Sequence, residues 1–443
     1  MDQRMLARDI VMRLREAGHE AYLAGGCVRD SLLGVEPKDF DVATSATPDQ
    51  VAALFPRVVP VGRAFGVQTV MEGGASVEVA TFRADGPYRD GRHPASVSFT
   101  TARQDVLRRD FTINGLLGDP SDGSVRDYVG GVADLEARLL RTIGDPGDRF
   151  AEDKLRLLRA VRFAARFNLR IEEATWRAMQ EHATEIGGVS PERIGREVVL
   201  CLTGPRPDAA LRLLKDAGLL AVILPEVDAL SQVAQSPPGH PEGDAFVHTA
   251  LLLSHLPPDP PPALALAGLL HDVGKAVTAT RDPDGRWRFF GHDKAGARMA
   301  ADICRRLRYS RELGAAVTRL VADHMVFYGA AQRSRSSLAS LLSRPDIDLL
   351  LALHRADALA SDGDLYHHNF ATQRRAEIGR DMANPPPRPL LTGGDLAALG
   401  YAPGPRFGRI LAAVEEASRQ GAIDSPEEAR SFVLERFPRE EQP

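Results

Sequence analysis

The chain contains 443 residues, and its 55 basic and 60 acidic side chains give a formal charge of -5. At roughly 100 to 200 residues per domain, this length predicts two to four domains. The acidic balance excludes a polycation that coats nucleic acid without specificity, so any polyanion must bind at a local basic patch. Hydrophobic residues make up 44% of the chain, which allows sizeable cores and excludes global disorder.

The cysteines and the apolar runs predict the compartment. Cys27, Cys201 and Cys304 lie far apart and form no CxxC pair, which argues against a disulfide framework or a zinc ribbon and favours a reducing cytoplasm. The N-terminal segment MDQRMLARDI lacks the apolar core of a signal peptide. The longest apolar run, Ala263 to Leu270, is too short to cross about 30 Å of hydrocarbon. We therefore expect a cytoplasmic protein without membrane insertion; the oligomeric state is left open.

The periodicity of apolar residues changes along the chain. Residues 1–145 alternate β-rich runs (AYLAGG, FDVAT, VVPVG, FGVQTV, SVEVATF) with helical segments such as Asp49 to Phe55. In residues 146–230 the period becomes 3.6, as in EDKLRLLRAVRFAARF, EATWRAMQEHA, PERIGREVVLCLTG and DAALRLLKDAGLL. Stretches rich in proline and glycine then delimit a helical region at 231–385 and a helical tail at 386–443. The predicted class is α+β, with a small mixed-sheet head followed by helical domains.

Two carboxylates and two glycines form the first candidate site. Asp39 and Asp41 flank Phe40, so on a strand both carboxylates point to one face. Two close like charges need a cation, and paired oxygen ligands suit Mg²⁺. Gly25 and Gly26 lie between the strand AYLA and a helix, where bare backbone N–H groups can approach a triphosphate. Either motif alone is common in ordinary turns, and the combination is typical of a nucleotide site.

The spacing GGxVRDxLLGxxxxDxD resembles the first signature of the nucleotidyltransferase superfamily in its tRNA CCA-adding and poly(A) polymerase branch. The segments LRRDFTING at 107–115, DYVGGVADLEARLLR at 127–141 and PERIGREVVL at 191–200 resemble later signatures of that family. NGLL stands where NAM or NAL is more usual after RRDFTI. Over residues 20–200 the chain is thus similar to the bacterial (class II) CCA-adding tRNA nucleotidyltransferases.

The segment EDKLRLLRAVRF bears on the choice of base. Asp153 and Arg156 are three residues apart, which predicts one helical face, although the same spacing also suits an ordinary surface ion pair. Cytosine and adenine present an amino donor beside a ring-nitrogen acceptor, whereas guanine and uracil present the reverse. A carboxylate beside a guanidinium therefore accepts C and A, and a wrong base leaves buried polar groups unpaired.

The resemblance implies a role for each matching residue. It implies that Asp39 and Asp41 are catalytic and hold Mg²⁺. It implies that the nucleotide is bound by Gly26, Arg29, Arg109, Asp153, Arg156, Arg159 and Arg162. Glu78 is either a third carboxylate or a plain strand residue. The segment from Ala84 to Pro94 resembles the flexible loop that lets the pocket switch from C to A, or it is an ordinary connection.

The second half carries a histidine pattern. The run VHTALLL, GLLHDVGK, GHDKAG, ADHM and RADALASD resembles the HD phosphohydrolase domain. The resemblance implies one ion held by His248, His271, Asp272 and Asp357, and a second held by His292 and His324. Either site would take Mg²⁺ or a transition ion, with Lys275 placed to meet a phosphate oxygen. Phosphatase or cyclic phosphodiesterase activity on RNA ends is implied.

The domain organisation that follows is a catalytic nucleotidyltransferase head at 1–145, a neck with the base-reading helix at 146–230, an HD domain at 231–385 and a tail at 386–443. The tail segment GYAPGPRFGRIL lies near tRNA in similar proteins, or is a turn between helices. The resemblance implies template-independent addition of C, C and A to tRNA from CTP and ATP, with release of pyrophosphate. Three alternatives stay open: an A-adding enzyme, a poly(A) polymerase, and an HD phosphohydrolase acting on RNA ends with an inert nucleotidyltransferase half.

Overall fold

The structure is a computed structural model that describes residues 2–62, 66–86, 96–235, 243–383 and 389–438. The chain forms two compact units, Met1–Thr372 and Gln373–Pro443. The limits of the four domains expected from the sequence stay a prediction. No helix among the described residues is long and apolar enough to span a bilayer.

The head is built on one mixed sheet. Its strands are β1 (Ala21–Ala24), β2 (Asp41–Thr44), β3 (Val58–Gly62), β4 (Val67–Glu72), β5 (Ala75–Thr81), β8 (Leu116–Gly118) and β9 (Val125–Asp127), in the order β3-β4-β5-β2-β1-β8-β9. β2 and β5 run parallel and the other neighbours are antiparallel. Two-stranded pairs elsewhere join β6 (Arg83–Asp85) to β7 (Val97–Phe99), β10 (Leu139–Leu140) to β11 (Arg170–Ile171) and β12 (Thr280–Arg281) to β13 (Trp287–Arg288). This arrangement confirms the predicted fold class.

The described part of the head contains five α-helices. These are α1 (Gln3–Glu16), α2 (Gly26–Leu32), α3 (Pro48–Leu54), α4 (Ala102–Leu107) and α5 (Gly131–Glu136). In α1, Leu6, Ile10 and Leu14 recur every fourth residue and are fully buried, as an amphipathic helix requires. The Asp2 carboxylate begins this helix by accepting a hydrogen bond from the Met5 N–H at 2.7 Å.

The neck contains α6 (Pro146–Glu152), α7 (Leu155–Phe167), α8 (Glu173–Glu181), α9 (Pro191–Leu202), α10 (Pro207–Asp216), α11 (Leu220–Ile223) and α12 (Pro225–Asp228). The expectation that Asp153 and Arg156 share one helix face is wrong. Asp153 takes an extended conformation with φ -143, which separates α6 from α7. Its Oδ1 accepts a hydrogen bond from the Leu155 N–H at 3.1 Å, so this side chain caps the helix that carries Arg156.

The histidine-rich region is a helical bundle. Its helices are α13 (Ala245–Ser254), α14 (Pro262–Leu270), α15 (Lys275–Thr278), α16 (His292–Arg306), α17 (Arg311–Asp323), α18 (Arg335–Leu342) and α19 (Ile347–Ala360), followed by α20 (Tyr366–Ala383). From Leu264 to Leu270 every residue of α14 is buried, because this helix is apolar on all sides. The bundle can therefore hold polar side chains at the ends of deeply buried helices.

The second unit contains α21 (Gly393–Ala398), α22 (Pro405–Arg419) and α23 (Pro426–Arg436). Leu396, Ile410 and Val433 are fully buried in a common core with residues of all three helices. Its helical character agrees with the predicted tail.

Candidate nucleotide and metal sites

A cavity of about 760 Å³ lies where the head sheet meets the neck. Its lining includes every residue predicted for the nucleotide and its metal: Gly26, Arg29, Asp39, Asp41, Arg109, Asp153, Arg156, Arg159 and Arg162. Glu78 also lines it. These residues come from segments that are far apart in the sequence. For example, Arg166 donates a hydrogen bond to Asp30, 136 positions away, near the same cavity. The fold therefore concentrates basic groups locally in a chain that is acidic overall.

Carboxylates gather at the sheet end of this cavity. Asp39 and Asp41 are exposed while Phe40 between them is buried, as alternation predicts, although β2 begins only at Asp41. Asp41 lies in register with Glu78 on the parallel neighbour β5. Partial burial of its carboxyl group, with Glu78 and Asp39 nearby, raises the pKa of Asp41 to about 6. This accumulation of like charge fits a site for a divalent cation, which would favour the ionised form.

Gly25 makes room for a guanidinium. It has φ +68, and a Cβ at this position would lie 3.1 Å from Nη1 of Arg109. Arg109 donates to the Asn114 carbonyl at 3.3 Å and pairs with Asp105 at 3.0 Å. The backbone at the start of α2 and the Arg109 side chain are thus in close contact, which is the arrangement expected of a phosphate-binding turn.

A buried polar network lies behind the cavity. Arg29 is 4% exposed, pairs with Asp30, donates to the Asn114 side chain and stacks over the Phe167 ring at 4.3 Å. Asn114 in turn donates to Asp110 at 3.0 Å. Because the Arg29 guanidinium is already engaged, we expect it to orient Asn114 rather than to act as an open phosphate fork.

Asp110 continues this network to the neck. Its carboxylate binds Arg159 at 2.6 Å. Burial alone would raise the pKa of Asp110, but Arg159 and the Asn114 hydrogen bond lower it to about 2. Asp110 and Asn114 also line the cavity. Both belong to the RRDFTIN segment, from which the resemblance predicts only Arg109. The signal was present in the motif itself.

The residues proposed to read the base are held by other groups. Asp153 Oδ2 accepts from Arg193 at 2.7 Å. Arg156 donates to Glu152 at 2.6 Å and to the carbonyls of Arg149 and Arg108. These bonds occupy three of its five N–H groups, so donors remain for a ligand. Both side chains line the same cavity although they do not pair with each other.

Arg162 has a partner on another neck helix. Its Nε donates to Glu197 of α9 at 2.7 Å, and Glu197 is buried. The guanidinium also lies over the Phe163 ring at 4.4 Å. This fixed position makes Arg162 a stationary charge on the cavity wall.

The six candidate ligands of the histidine-rich region converge. His248, His271 and Asp357 have ligand atoms within 4.8 Å of one another, and so do Asp272, His292 and His324. This grouping differs from the expected one, because Asp272 falls in the second group. Its carboxylate faces both groups: Oδ2 is 3.1 Å from His271 Nε2, and Oδ1 is 3.6 Å from His292 Nε2. A carboxylate shared in this way suits two neighbouring ions.

Main-chain carbonyls fix the orientation of three of the rings. Nδ1 of His271, His292 and His324 lies 3.0, 2.8 and 2.7 Å from a carbonyl oxygen, which can only accept. Nδ1 must therefore carry the proton, and Nε2 is left to bind a cation. Burial and the neighbouring His271 lower the pKa of His324 to about 4, so its ring is neutral near pH 7.

The Nε2 atoms of two of these rings face each other, and neither atom carries a proton to donate. Nε2 of His292 and Nε2 of His324 lie 3.1 Å apart. Nε2 of His271 is buried and has no hydrogen-bond partner among the described residues. Unprotonated nitrogen atoms held close together in a buried site repel unless a cation is present, so these donor sets fit metal ions. The chain thus carries candidate metal-binding groups in the region predicted for them.

Lys275 completes this site. Its Nζ lies 2.7 Å from Asp272 Oδ2 and donates to Gln235 at 2.5 Å. The group opens into a cavity of about 710 Å³ whose lining includes Asp272, His292, His324 and Lys275. The predicted position of this lysine beside the ligands is therefore found. The segment from Ala84 to Pro94, by contrast, is described only as far as Gly86, and its remainder lies outside the described residues.

Three family models match the chain. The poly A polymerase head domain matches residues 21–141, the family described as "Probable RNA and SrmB- binding site of polymerase A" matches 168–230, and the HD domain matches 246–362. Residues 21–141 and 246–362 thus carry the poly A polymerase head domain and the HD domain, and both of these families depend on metal ions.

Two curated relatives and one solved structure are similar to the chain. The CCA-adding enzyme of Levilactobacillus brevis is 43% identical over 215 residues, which are 48% of this chain and 54% of that protein. That of Geobacillus kaustophilus is 42% identical over 231 residues, or 52% and 57%. The chain thus spans about half the length of the curated relatives it matches. The crystal structure of the Bacillus stearothermophilus CCA-adding enzyme in complex with CTP covers 98% of both chains, with a TM-score of 0.62 and 26% identity. The chain is thus similar to bacterial CCA-adding enzymes, in sequence over about half of its length and in fold over nearly all of it, as its motifs predicted.

Proposed function

We propose that the chain is a template-independent tRNA nucleotidyltransferase that adds C, C and A to tRNA 3′ ends from CTP and ATP and releases pyrophosphate. The observation that carries this proposal is the single cavity that joins the Asp39 and Asp41 carboxylates to Asp153 and Arg156 of the neck. The two carboxylates of the head suit a metal and a triphosphate, and Asp153 and Arg156 suit the edge of C or A. The similarity to enzymes named for CCA addition supports the same reading.

Different residues of the cavity would bind the metal ion and the phosphates. Asp39 and Asp41 would hold Mg²⁺, which supplies charge for the triphosphate and lowers the pKa of the RNA 3′-hydroxyl. Arg109, beside Gly25, is placed to bind phosphate oxygens. Positioning and charge neutralisation account for most of the catalysis asked of the protein in phosphoryl transfer.

Base choice rests on Asp153 and Arg156 in the lining of the cavity. Arg193 and the Leu155 N–H hold the Asp153 carboxylate, and each of its oxygens keeps a lone pair for an amino group. Arg156 is 7% exposed and keeps N–H groups for a ring nitrogen. Guanine or uracil would place an oxygen against Asp153 and an N–H against Arg156, which disfavours both.

The activity is tested with tRNA that lacks its last three nucleotides, incubated with CTP, with ATP and with both, followed by sequencing of the 3′ ends. We expect CC with CTP alone and CCA with both. Extension by A but never by C would favour the A-adding alternative, and long A tails would favour poly(A) polymerase. Asp39→Ala with Asp41→Ala should abolish extension; full activity of this variant would indicate that the head is inert.

A second activity is favoured by the facing Nε2 atoms of His292 and His324. We infer that the two histidine and aspartate groups bind Mg²⁺ or transition ions and hydrolyse phosphoesters at RNA ends. Hydrolysis of a nucleoside 2′,3′-cyclic phosphate by the metal-loaded chain, lost in His271→Ala, is the expected result. Hydrolysis that survives this substitution would contradict the inference.

We also propose a compartment, binding partners and a role for the helical tail. We place the chain in the cytoplasm, with tRNA, CTP and ATP as partners, and assign residues 386–443 to tRNA contact. Tail deletion that leaves tRNA affinity unchanged would contradict the last assignment.

A further inference from the structure

The cavity above the HD ligands is larger than a phosphate group requires. Its volume is about 710 Å³, within the range of roughly 300 to 1,000 Å³ typical of small-molecule sites. The ligands Asp272, His292 and His324 form one part of it, and Tyr328 and Phe290 belong to other parts of the lining. A phosphate held at the ligands would leave most of this volume for the group that it esterifies.

Phe290 is the exposed aromatic residue of this cavity. It is 82% exposed, the highest value among the large apolar side chains that the structure describes. Its ring is therefore accessible to a ligand in the cavity that it lines. The backbone next to Phe290 is held in place, because His292 Nδ1 donates to the carbonyl of the preceding Phe289 at 2.8 Å. Phe290 lies two residues before this candidate ligand.

The segment before Phe290 is a short hairpin. β12 and β13 pair Thr280 with Arg288 and Arg281 with Trp287, and Arg288 binds Asp282 at 2.6 Å. The Arg281 guanidinium lies 4.7 Å from the Trp287 ring centroid. The hairpin thus has internal contacts that hold the chain leading to Phe290.

A second aromatic residue of the lining is fixed by ring contacts. Tyr328 is 41% exposed, and its ring centroid lies 5.1 Å from that of His354 and 5.2 Å from that of His367. Cationic groups are also present in the lining, with Lys275 beside Asp272 and Arg286 on the hairpin. Aromatic rings and cationic groups in the lining of one cavity are the combination that binds bases together with phosphates.

We propose that Phe290 is a specificity-determining residue of the HD cavity, which stacks on the base of a nucleotidyl phosphate whose phosphate group lies at Lys275 and the ligand groups. This inference rests on the proposed hydrolytic site and names its substrate-recognition element. Stacking on an aromatic side chain tolerates any base, so Phe290 selects nucleotides over other phosphate esters without selecting one base.

The test compares two phosphate esters. Full-length protein carrying Asp39→Ala and Asp41→Ala, which disables metal binding in the head, is loaded with Mn²⁺ and assayed with adenosine 3′-monophosphate and with glycerol 2-phosphate. Phe290→Ala should raise KM for the nucleotide about ten-fold, within the loss expected for one stacked base, and leave KM for glycerol 2-phosphate unchanged. Phe290→Tyr should restore the nucleotide KM. Val277→Ala is the matched control, because Val277 is 65% exposed and lies outside the cavity lining.

Binding of adenosine 3′-monophosphate to the same proteins is measured by calorimetry, so that hydrolysis is not the only readout. A ten-fold loss of affinity in Phe290→Ala supports the recognition role even if wild-type protein hydrolyses neither ester, a result that would refute only the hydrolytic function. Equal effects on both esters, or no effect on nucleotide affinity, would overturn the role of Phe290 whether or not hydrolysis occurs.

Discussion

Removal of the Asp153 carboxylate should relax the choice of nucleotide. In the structure Oδ1 is held by the Leu155 N–H at 3.1 Å and Oδ2 by Arg193 at 2.7 Å, so the acceptor is fixed before any base arrives. Asp153→Ala deletes the acceptor for the amino group of C or A. Guanine and uracil present an oxygen at this position, so the same substitution removes the repulsion between that oxygen and the carboxylate.

The magnitude follows from the burial of the pair. Asp153 is partly buried and Arg156 is 7% exposed, so an unmade hydrogen bond costs about 1–3 kcal/mol. This corresponds to a fall of roughly 5- to 150-fold in kcat/KM for CTP and ATP. Arg193→Ala keeps the Asp153 carboxylate but removes the side chain that holds it in position. It should therefore give a smaller fall in kcat/KM for CTP and ATP.

The assay measures kcat/KM for each of the four nucleoside triphosphates on tRNA that lacks its 3′ end. Arg177→Ala is a suitable control, because this arginine is exposed, pairs with Glu173 and lies outside the cavity lining. If Asp153→Ala keeps the wild-type preference for C and A over G and U, the proposed reading of the base by this carboxylate is refuted.

Three further outcomes follow from the same contacts. Asp110 has its pKa lowered from 3.8 to about 2, so its stabilising charge is fully present above about pH 4 and is lost as pH falls through 2. Asp110→Asn should accordingly lower the free energy of unfolding in urea by about 2 kcal/mol at pH 7, and an undiminished difference near pH 2 would contradict this. His271→Ala should reduce the Mn²⁺ bound per chain by metal analysis, and unchanged content would exclude this ring as a ligand. Gly25→Ala should weaken CTP binding because its Cβ would meet a guanidinium nitrogen at 3.1 Å; Gly18→Ala shares the positive φ without a contact within 4 Å, and equal losses in both would point to strain alone.

The local motifs could be predicted from the sequence. Asp39 and Asp41 share an exposed face because a buried Phe40 separates them, and this alternation is a property of the chain itself. Gly25 precedes α2 for a similarly local reason, since its positive φ suits glycine. Patterns of period 2 and 3.6 likewise identified strands such as β5 and helices such as α7.

What escaped prediction depends on distant residues or on competing local bonds. Arg159 and Arg162 find their carboxylate partners 49 and 35 positions away, at separations that no spacing rule covers. Asp153 lies between two helices, where its side chain accepts from the Leu155 N–H two residues on, an alternative that the apolar period does not reveal. Asp272 faces both ligand groups only because α13, α16 and α19 converge around it.

The central claim is that one cavity joins a catalytic metal to a reader of C and A. The most direct measurement is the 3′-end sequence of tRNA lacking its last three nucleotides after incubation with the chain, Mg²⁺ and all four nucleoside triphosphates. CCA, and nothing beyond it, is the predicted end. Tails that contain G or U, or no extension at all, would contradict the claim.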